Sequence, residues 1–123
     1  MNISAINRIT LDLLLAMGRE SHPREFAALL SAEAGIISEV HLIPGSIGGE
    51  ASAQVPFEMV PLHMRIIGSA HSHPSGAIRP SDADIRFFSV SGNSHIIVGY
   101  PYGPDDWRSF YADGTPLDLG VVA

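Results

Sequence analysis

Two histidines one residue apart, His71 and His73, close an apolar run, and the period of two in a β-strand would put both imidazoles on one face ~7 Å apart. By itself such a pair is weak evidence for a metal site. After a turn bounded by Pro74 and Pro80, the segment Ser81-Asp82-Ala83-Asp84 brings a hydroxyl and a carboxylate back toward the histidines. Ser81-x-x-Asp84 ahead of an apolar stretch is also an ordinary helix N-terminus, whose cap contributes ~1 kcal/mol. Joined to His71 and His73, however, Asp84 completes a set of two neutral nitrogens and one carboxylate oxygen with a fourth position open. That is the ligand count of a catalytic zinc rather than a structural one. Zinc held in this way brings the pKa of a water down to roughly 7. A second carboxylate outside the ligand set must then move the proton, and Glu25 is a candidate. By periodicity alone Glu25 reads as a surface carboxylate after Pro23.

These groups need a scaffold that brings them together. Ser4 is placed to cap a first helix with Ile6, Ile9, Leu13 and Met17 at spacings of three and four, ending before His22-Pro23. Residues 25–31 read as a central strand with Glu25 at its mouth, and residues 36–43 as a second strand leading into a loop at Gly45, Gly48 and Gly49. A weak strand is expected at 51–57 and a helix or turn at 61–64. Residues 65–71 read as a strand carrying His71, residues 81–89 as a helix capped by Ser81, and 95–100 and 107–111 as strands joined in a hairpin. Helix, strands, helix and strands in that order make an α/β domain with a mixed sheet.

The spacing His71-Ser72-His73-Pro74, six residues, Ser81, two residues, Asp84, with a glutamate entering an apolar strand upstream, resembles the JAMM (MPN-type) zinc metalloprotease motif. The likeness runs from about Pro23 to Trp107 and includes His95-Ile96-Ile97-Val98 before a Tyr-Pro-Tyr hairpin, as in small archaeal members. By this resemblance His71, His73 and Asp84 bind Zn2+ and Glu25 is the general acid/base. Ser81 then steadies the water or the oxyanion of the tetrahedral intermediate. The fold implied is similar to cytidine deaminase, a curved mixed β-sheet packed between helices, as one domain over residues 1–123. The activity implied is hydrolysis of the bond between the C-terminal glycine of a ubiquitin-like modifier and a lysine amine. Ala27-Ala28 stands where many relatives carry Cys-Gly, and small residues preserve the packing there. Asp84 leads through one helix straight to the His95 strand, without the insertion that linkage-specific relatives use, so low linkage selectivity is expected.

Composition narrows the alternatives. The 123 residues suffice for about one domain, and 46% hydrophobic against 16% charged residues can fill a core. A formal charge of −6 disfavours nucleic acid as a partner. With no cysteine, a thiolate zinc cluster and a cysteine nucleophile are excluded. The seven basic residues are all Arg, so no side-chain amine is available for conjugation. No apolar run reaches the ~18 residues of a spanning helix, and no signal peptide is visible, so a cytoplasmic protein without membrane partners is expected. Three other readings compete: release of a sulfur-carrier protein from a conjugate, a non-catalytic MPN-type scaffold, and a RadC-like protein suggested by His73-Pro74-Ser75-Gly76. The scaffold reading is weakened because no ligand is missing, and the RadC-like one because Ser72 stands where Asn is usual. His22, His41, His63 and His95 lack partners at ligand spacing and read as structural or solvated.

Overall fold

The computed structural model describes residues 2–47 and 65–123. The expected strand at 51–57, the helix or turn at 61–64, Gly48, Gly49 and His63 lie outside them. Among the described residues seven strands form one mixed sheet in the order β6-β5-β4-β2-β3-β1-β7. In chain order these are β1 (Ala5–Asn7), β2 (Phe26–Glu33), β3 (Ile36–Ile47), β4 (Gly68–His73), β5 (Ser94–Gly99), β6 (Trp107–Phe110) and β7 (Gly120–Val122). Helix α1 (Arg8–Ser21) follows β1, and α2 (Asp82–Phe88) lies between β4 and β5. None of the described helices is long and apolar enough to cross a membrane.

Alternation along the central strands assigns each helix its own face of the sheet. Ala28 and Leu30 of β2, Ala70 of β4, and Ile96 and Val98 of β5 pack with Leu11, Leu14 and Leu15 of α1. The intervening Ala27 and Leu29 meet Phe87 of α2, while Ile97 meets Phe88. The sheet is therefore packed between helices, as the resemblance implied.

The sequence expectations need correction at the N-terminus. Ser4 does not cap α1: residues 5–7 are drawn into the sheet, parallel to both β3 and β7, and Asn7 caps the helix by accepting from Ile9 N–H at 3.0 Å. Of the four expected apolar positions, Ile6, which lies in β1, and Met17 pack with the core, but the other two face water. Ile9 is 78% and Leu13 48% exposed, whereas Leu11, Leu14, Leu15 and Gly18 are buried. Both stripes have helical spacing, but only the second places Gly18 under the ring of Tyr102, where an added Cβ would come within 2.5 Å of Cδ1. Strand β3 runs on through Gly45 to Ile47 because β2 offers it partners as far as Phe26, so the expected loop does not begin at Gly45. The three-residue strand β7 carries no pattern from which it could be read.

Candidate active site

β2 and β4 are antiparallel with Ala27 opposite His71, and continuing that register carries Glu25 to the level of His73. His71 and His73 share the α2 face of β4, as their spacing requires. His71 is 2% exposed, with the Phe87 ring edge-on at 4.7 Å. Beyond β4 the chain turns at once: the His73 carbonyl accepts from Gly76 N–H at 3.1 Å, and Gly76 has φ +82°, which favours glycine. Helix α2 then starts at Ser81 in a capping box. Ser81 Oγ accepts from Asp84 N–H at 3.1 Å, and Asp84 Oδ2 accepts from Ser81 N–H at 2.9 Å. The box is what aims the Asp84 carboxylate at the histidines.

Asp84 meets both rings. Its Oδ2 accepts from His73 Nε2 at 2.9 Å, and its Oδ1 lies 3.9 Å from His71 Nδ1. That Nδ1 is buried and has no hydrogen-bond partner. Burial pushes His71 down to about 4, with the Asp84 charge pulling the other way, so the ring is neutral near pH 7. Burial alone would raise Asp84, but the His73 hydrogen bond, the His71 ring and Ser81 N–H hold it at about 2. His73 goes the opposite way. Burial lowers it, but the Asp84 hydrogen bond, the Ala77 carbonyl, and the charges of Asp84 and Glu25 outweigh this and raise it. Its Nδ1 donates to Ala77 O at 2.8 Å, so Nε2 is the nitrogen free to exchange its proton for another cation.

These observations test whether the donors fit a divalent metal. An orphaned buried nitrogen, a second imidazole oriented through its far nitrogen and a carboxylate held ionised between them are the N/O chemistry that zinc prefers. The proton shared by His73 and Asp84 lies where a cation is stabilised. The donors fit, although among the described residues no three such side chains already stand in a finished ligand cage. The direct His73–Asp84 bond would have to open to admit the ion.

Glu25 and His73 line one cleft of about 330 Å³ with Pro74, Ser75 and Ser81. Glu25 is half-buried and its pKa is raised, first by burial and then by Asp84, against the lowering effect of His73. A larger hollow of about 490 Å³ lies over β6, lined by residues such as Trp107, Arg108 and Leu117, and contains none of these groups. Size therefore does not mark the chemistry here.

All five residues singled out from the sequence thus gather at one end of β4. Three further polar residues support them, none of which the sequence marks as part of the site. Ser72 Oγ accepts from Phe26 N–H at 2.9 Å and ties the mouth of β2, next to Glu25, to β4. Ser69 Oγ lies 2.7 Å from His71 Nε2 and 2.7 Å from Nδ1 of the buried His95. Period two from His71 could have pointed to Ser69. Nothing in the sequence pairs it with His95, because that contact depends on the parallel register of β4 and β5.

The comparisons with known proteins agree with this geometry. Residues 8–112 match the family model for prokaryotic homologs of the JAB domain. A relative from Haloferax volcanii, named a probable metalloprotease, is 42% identical over 122 residues, covering 91% of this chain and 75% of its own. One solved structure, described as JAMM, a metalloprotease-like zinc site in the proteasome and signalosome, superposes with a TM-score of 0.80 at 32% identity. That match covers 99% of this chain and 100% of the other. The JAB1/MPN domain protein of Archaeoglobus fulgidus gives 0.79 at 34% identity, covering 97% and 99%. A Desulfitobacterium hafniense protein gives 0.68 at 20% identity, with 98% and 93% covered, and shares the fold. With the family model matching most of its length, the chain belongs to the prokaryotic homologs of the JAB domain, within the JAMM (MPN-type) family.

Proposed function

We propose that this chain is a zinc-dependent metallopeptidase of the isopeptidase type, cleaving the bond between the C-terminal glycine of a ubiquitin-like modifier and a lysine amine. The observation that carries the metallopeptidase reading is the buried, unpartnered His71 Nδ1 facing an ionised Asp84 beside the Glu25 cleft. The relatives' named metalloprotease character and zinc site support it. His71, His73 and Asp84 would hold the ion, which when bound supplies Lewis-acid polarisation of a carbonyl and of water.

The remaining work falls to the chain's own residues. Glu25 takes a proton from the attacking water as the new C–O bond forms, then gives it to the lysine nitrogen as the C–N bond breaks. A raised pKa suits a group that must both accept and donate within one turnover. Ser81 Oγ accepts from Asp84 N–H, which leaves its O–H able to donate to the oxyanion across the cleft. The short connection from α2 to β5 supports a compact enzyme with little grip on chain linkage.

The test is metal analysis and cleavage on one preparation. We expect about one zinc per chain, loss of metal affinity in Asp84→Ala, and chelator-sensitive release of a ubiquitin-like protein from a lysine conjugate. A chain that takes up no metal on titration overturns the metallopeptidase reading. Zinc uptake with cleavage only of a conjugate to cysteine would instead favour a sulfur-carrier substrate.

A further inference from the structure

His71 has two ring nitrogens, and only the one without a proton can accept a metal. What decides which nitrogen is bare is readable from the groups behind it. At the far end, the Gly92 carbonyl lies 3.0 Å from His95 Nε2; a carbonyl only accepts, so Nε2 carries the proton. His95 Nδ1 receives the Ser69 backbone N–H at 3.1 Å, which requires a lone pair there. His95 is therefore neutral, with its proton on Nε2. Ser69 Oγ lies 2.7 Å from that bare Nδ1, and two facing lone pairs at this distance would repel, so the hydroxyl hydrogen points at His95. Ser69 Oγ is then left as an acceptor toward His71 Nε2 at 2.7 Å, so His71 Nε2 holds the proton. The remaining nitrogen, Nδ1, is bare and faces Asp84.

We infer that Ser69 and His95 are positioning residues that set the tautomer of His71, so that its nitrogen facing Asp84 presents a lone pair to the metal. The inference rests on the zinc reading for its purpose, though not for its hydrogen-bond logic. The chain of donors runs in one direction, from His71 through Ser69 and His95 to the Gly92 carbonyl, and its end is fixed by backbone. Gly92 has φ +104°, and a Cβ there would sit 2.3 Å from the Ile67 carbonyl carbon, so the carbonyl at the end of the chain belongs to a turn that favours glycine. The Phe88 ring lies flat on His95, with centroids 4.0 Å apart and planes within 9°, and holds the imidazole in this orientation. A purely structural His95 would need the stacking and one hydrogen bond. It would not need a hydroxyl placed between it and the candidate ligand. His73 is oriented by a shorter route, donating Nδ1–H to Ala77 O, and its Nε2 would give up to the metal the proton it now donates to Asp84.

The experiment combines ¹⁵N-edited NMR of the imidazoles, recorded in chelator, with zinc dissociation constants from competition against a chromophoric chelator. In the parent we expect His71 protonated on Nε2 and bare on Nδ1. His95→Phe keeps the ring stack on Phe88 but frees the Ser69 hydroxyl to turn toward His71. It should move His71 toward the other tautomer and weaken zinc by roughly 10–100-fold, the usual cost of losing a residue behind a metal ligand. Ser69→Ala should weaken zinc similarly, and Ser69→Thr, which retains the hydroxyl, should recover most of the affinity. A parent spectrum with the proton on His71 Nδ1 overturns the inference even if no variant folds. So does His95→Phe with the parent tautomer, whatever its stability. If the parent tautomer is as expected but no zinc binds, the zinc reading fails while the hydrogen-bond assignment stands.

Discussion

The two helices rest on opposite faces of one sheet but are held by different forces. α1 has fourteen residues and buries Leu11, Leu14 and Leu15, each worth about 1.5–3 kcal/mol when taken from water. Its polar contacts include the Asn7 cap, Thr10 Oγ1 donating to the Ser38 carbonyl at 3.0 Å and Arg19 Nη1 donating to the Tyr102 carbonyl at 2.6 Å, and none of these partners is a site residue. α2 has seven residues, too few to persist alone, and survives through Phe87, Phe88 and a capping box. The same Asp84 carboxylate that closes this box bonds to His73 and faces His71. Stability and chemistry are thus separate on the α1 face and shared on the α2 face. Substitutions on the two faces should fail in different ways.

The largest effect is expected from Glu25→Gln. The side chain keeps its shape but cannot cycle a proton, so conjugate cleavage should fall by about 10²–10⁴ with zinc content unchanged. Turnover near the parent's would remove Glu25 from the mechanism. Metal loss in this variant would place it among the ligands instead.

Ser81→Ala and Leu14→Ala form a matched pair across the sheet. As a cap alone, Ser81 is worth ~1 kcal/mol of stability. As an oxyanion donor its loss should lower kcat by about 10²–10³ on the same folded molecules. Leu14→Ala should do the reverse: ~2–5 kcal/mol of stability lost through a cavity under α1, with zinc affinity and kcat per folded molecule retained. Thermal melts and rates on one preparation of each variant read both numbers. Full activity in Ser81→Ala would leave it a cap only. A kcat loss in Leu14→Ala would show that the faces are coupled.

The two faces also differed in how far they could be read from the sequence. The α2 side is local: Ser81, Asp84 and the His71/His73 pair lie within fourteen residues, and the period of a strand and the start of a helix suffice to set them against one another. Glu25 is distant in sequence, and its place is fixed only by the antiparallel register of β2 and β4, which composition does not reveal; the family likeness supplied it. α1 is legible as a helix, but its buried face is only partly so, since apolar residues occupy both stripes and the choice is made by packing beneath Tyr102. β1 was hidden because three residues are too few to show alternation. His95 was set aside because its role passes through Ser69 on a neighbouring strand.

Acid offers a smaller perturbation confined to the polar face, where buried imidazoles lie and where α1 contributes no buried titratable group. Burial lowers His95 from 6.5 to about 4, with the Gly92 hydrogen bond opposing it. Between those values the unfolded chain binds a proton that the fold excludes, so stability falls as pH drops from 6.5 toward about 4. Above 6.5 and below about 4 this group adds no slope. Its share is on the order of 3 kcal/mol at most. Denaturant titrations at stepped pH should show a shallower slope across this window in His95→Phe than in the parent. An equal slope would mean that His95 is not held neutral. Asp84, held at about 2, acts in a separate window, stabilising above 3.8 and losing that contribution as pH falls further.

The smallest expected effect settles which stripe of α1 the sheet uses. Ile9 and Leu13 have the spacing of a core-facing pair, yet Ile9 is 78% exposed and lies opposite the buried Leu11, Leu14 and Leu15. Ile9→Gln keeps a helix former of similar reach and changes only polarity. The variant should stay within about 0.5 kcal/mol of the parent, because a side chain already in water has no burial to lose. Zinc affinity and kcat should match the parent as well, since α1 supplies no group to the site. A loss approaching that of Leu14→Ala would show that water does not reach Ile9, and that the outer stripe of α1 is covered by something other than this sheet.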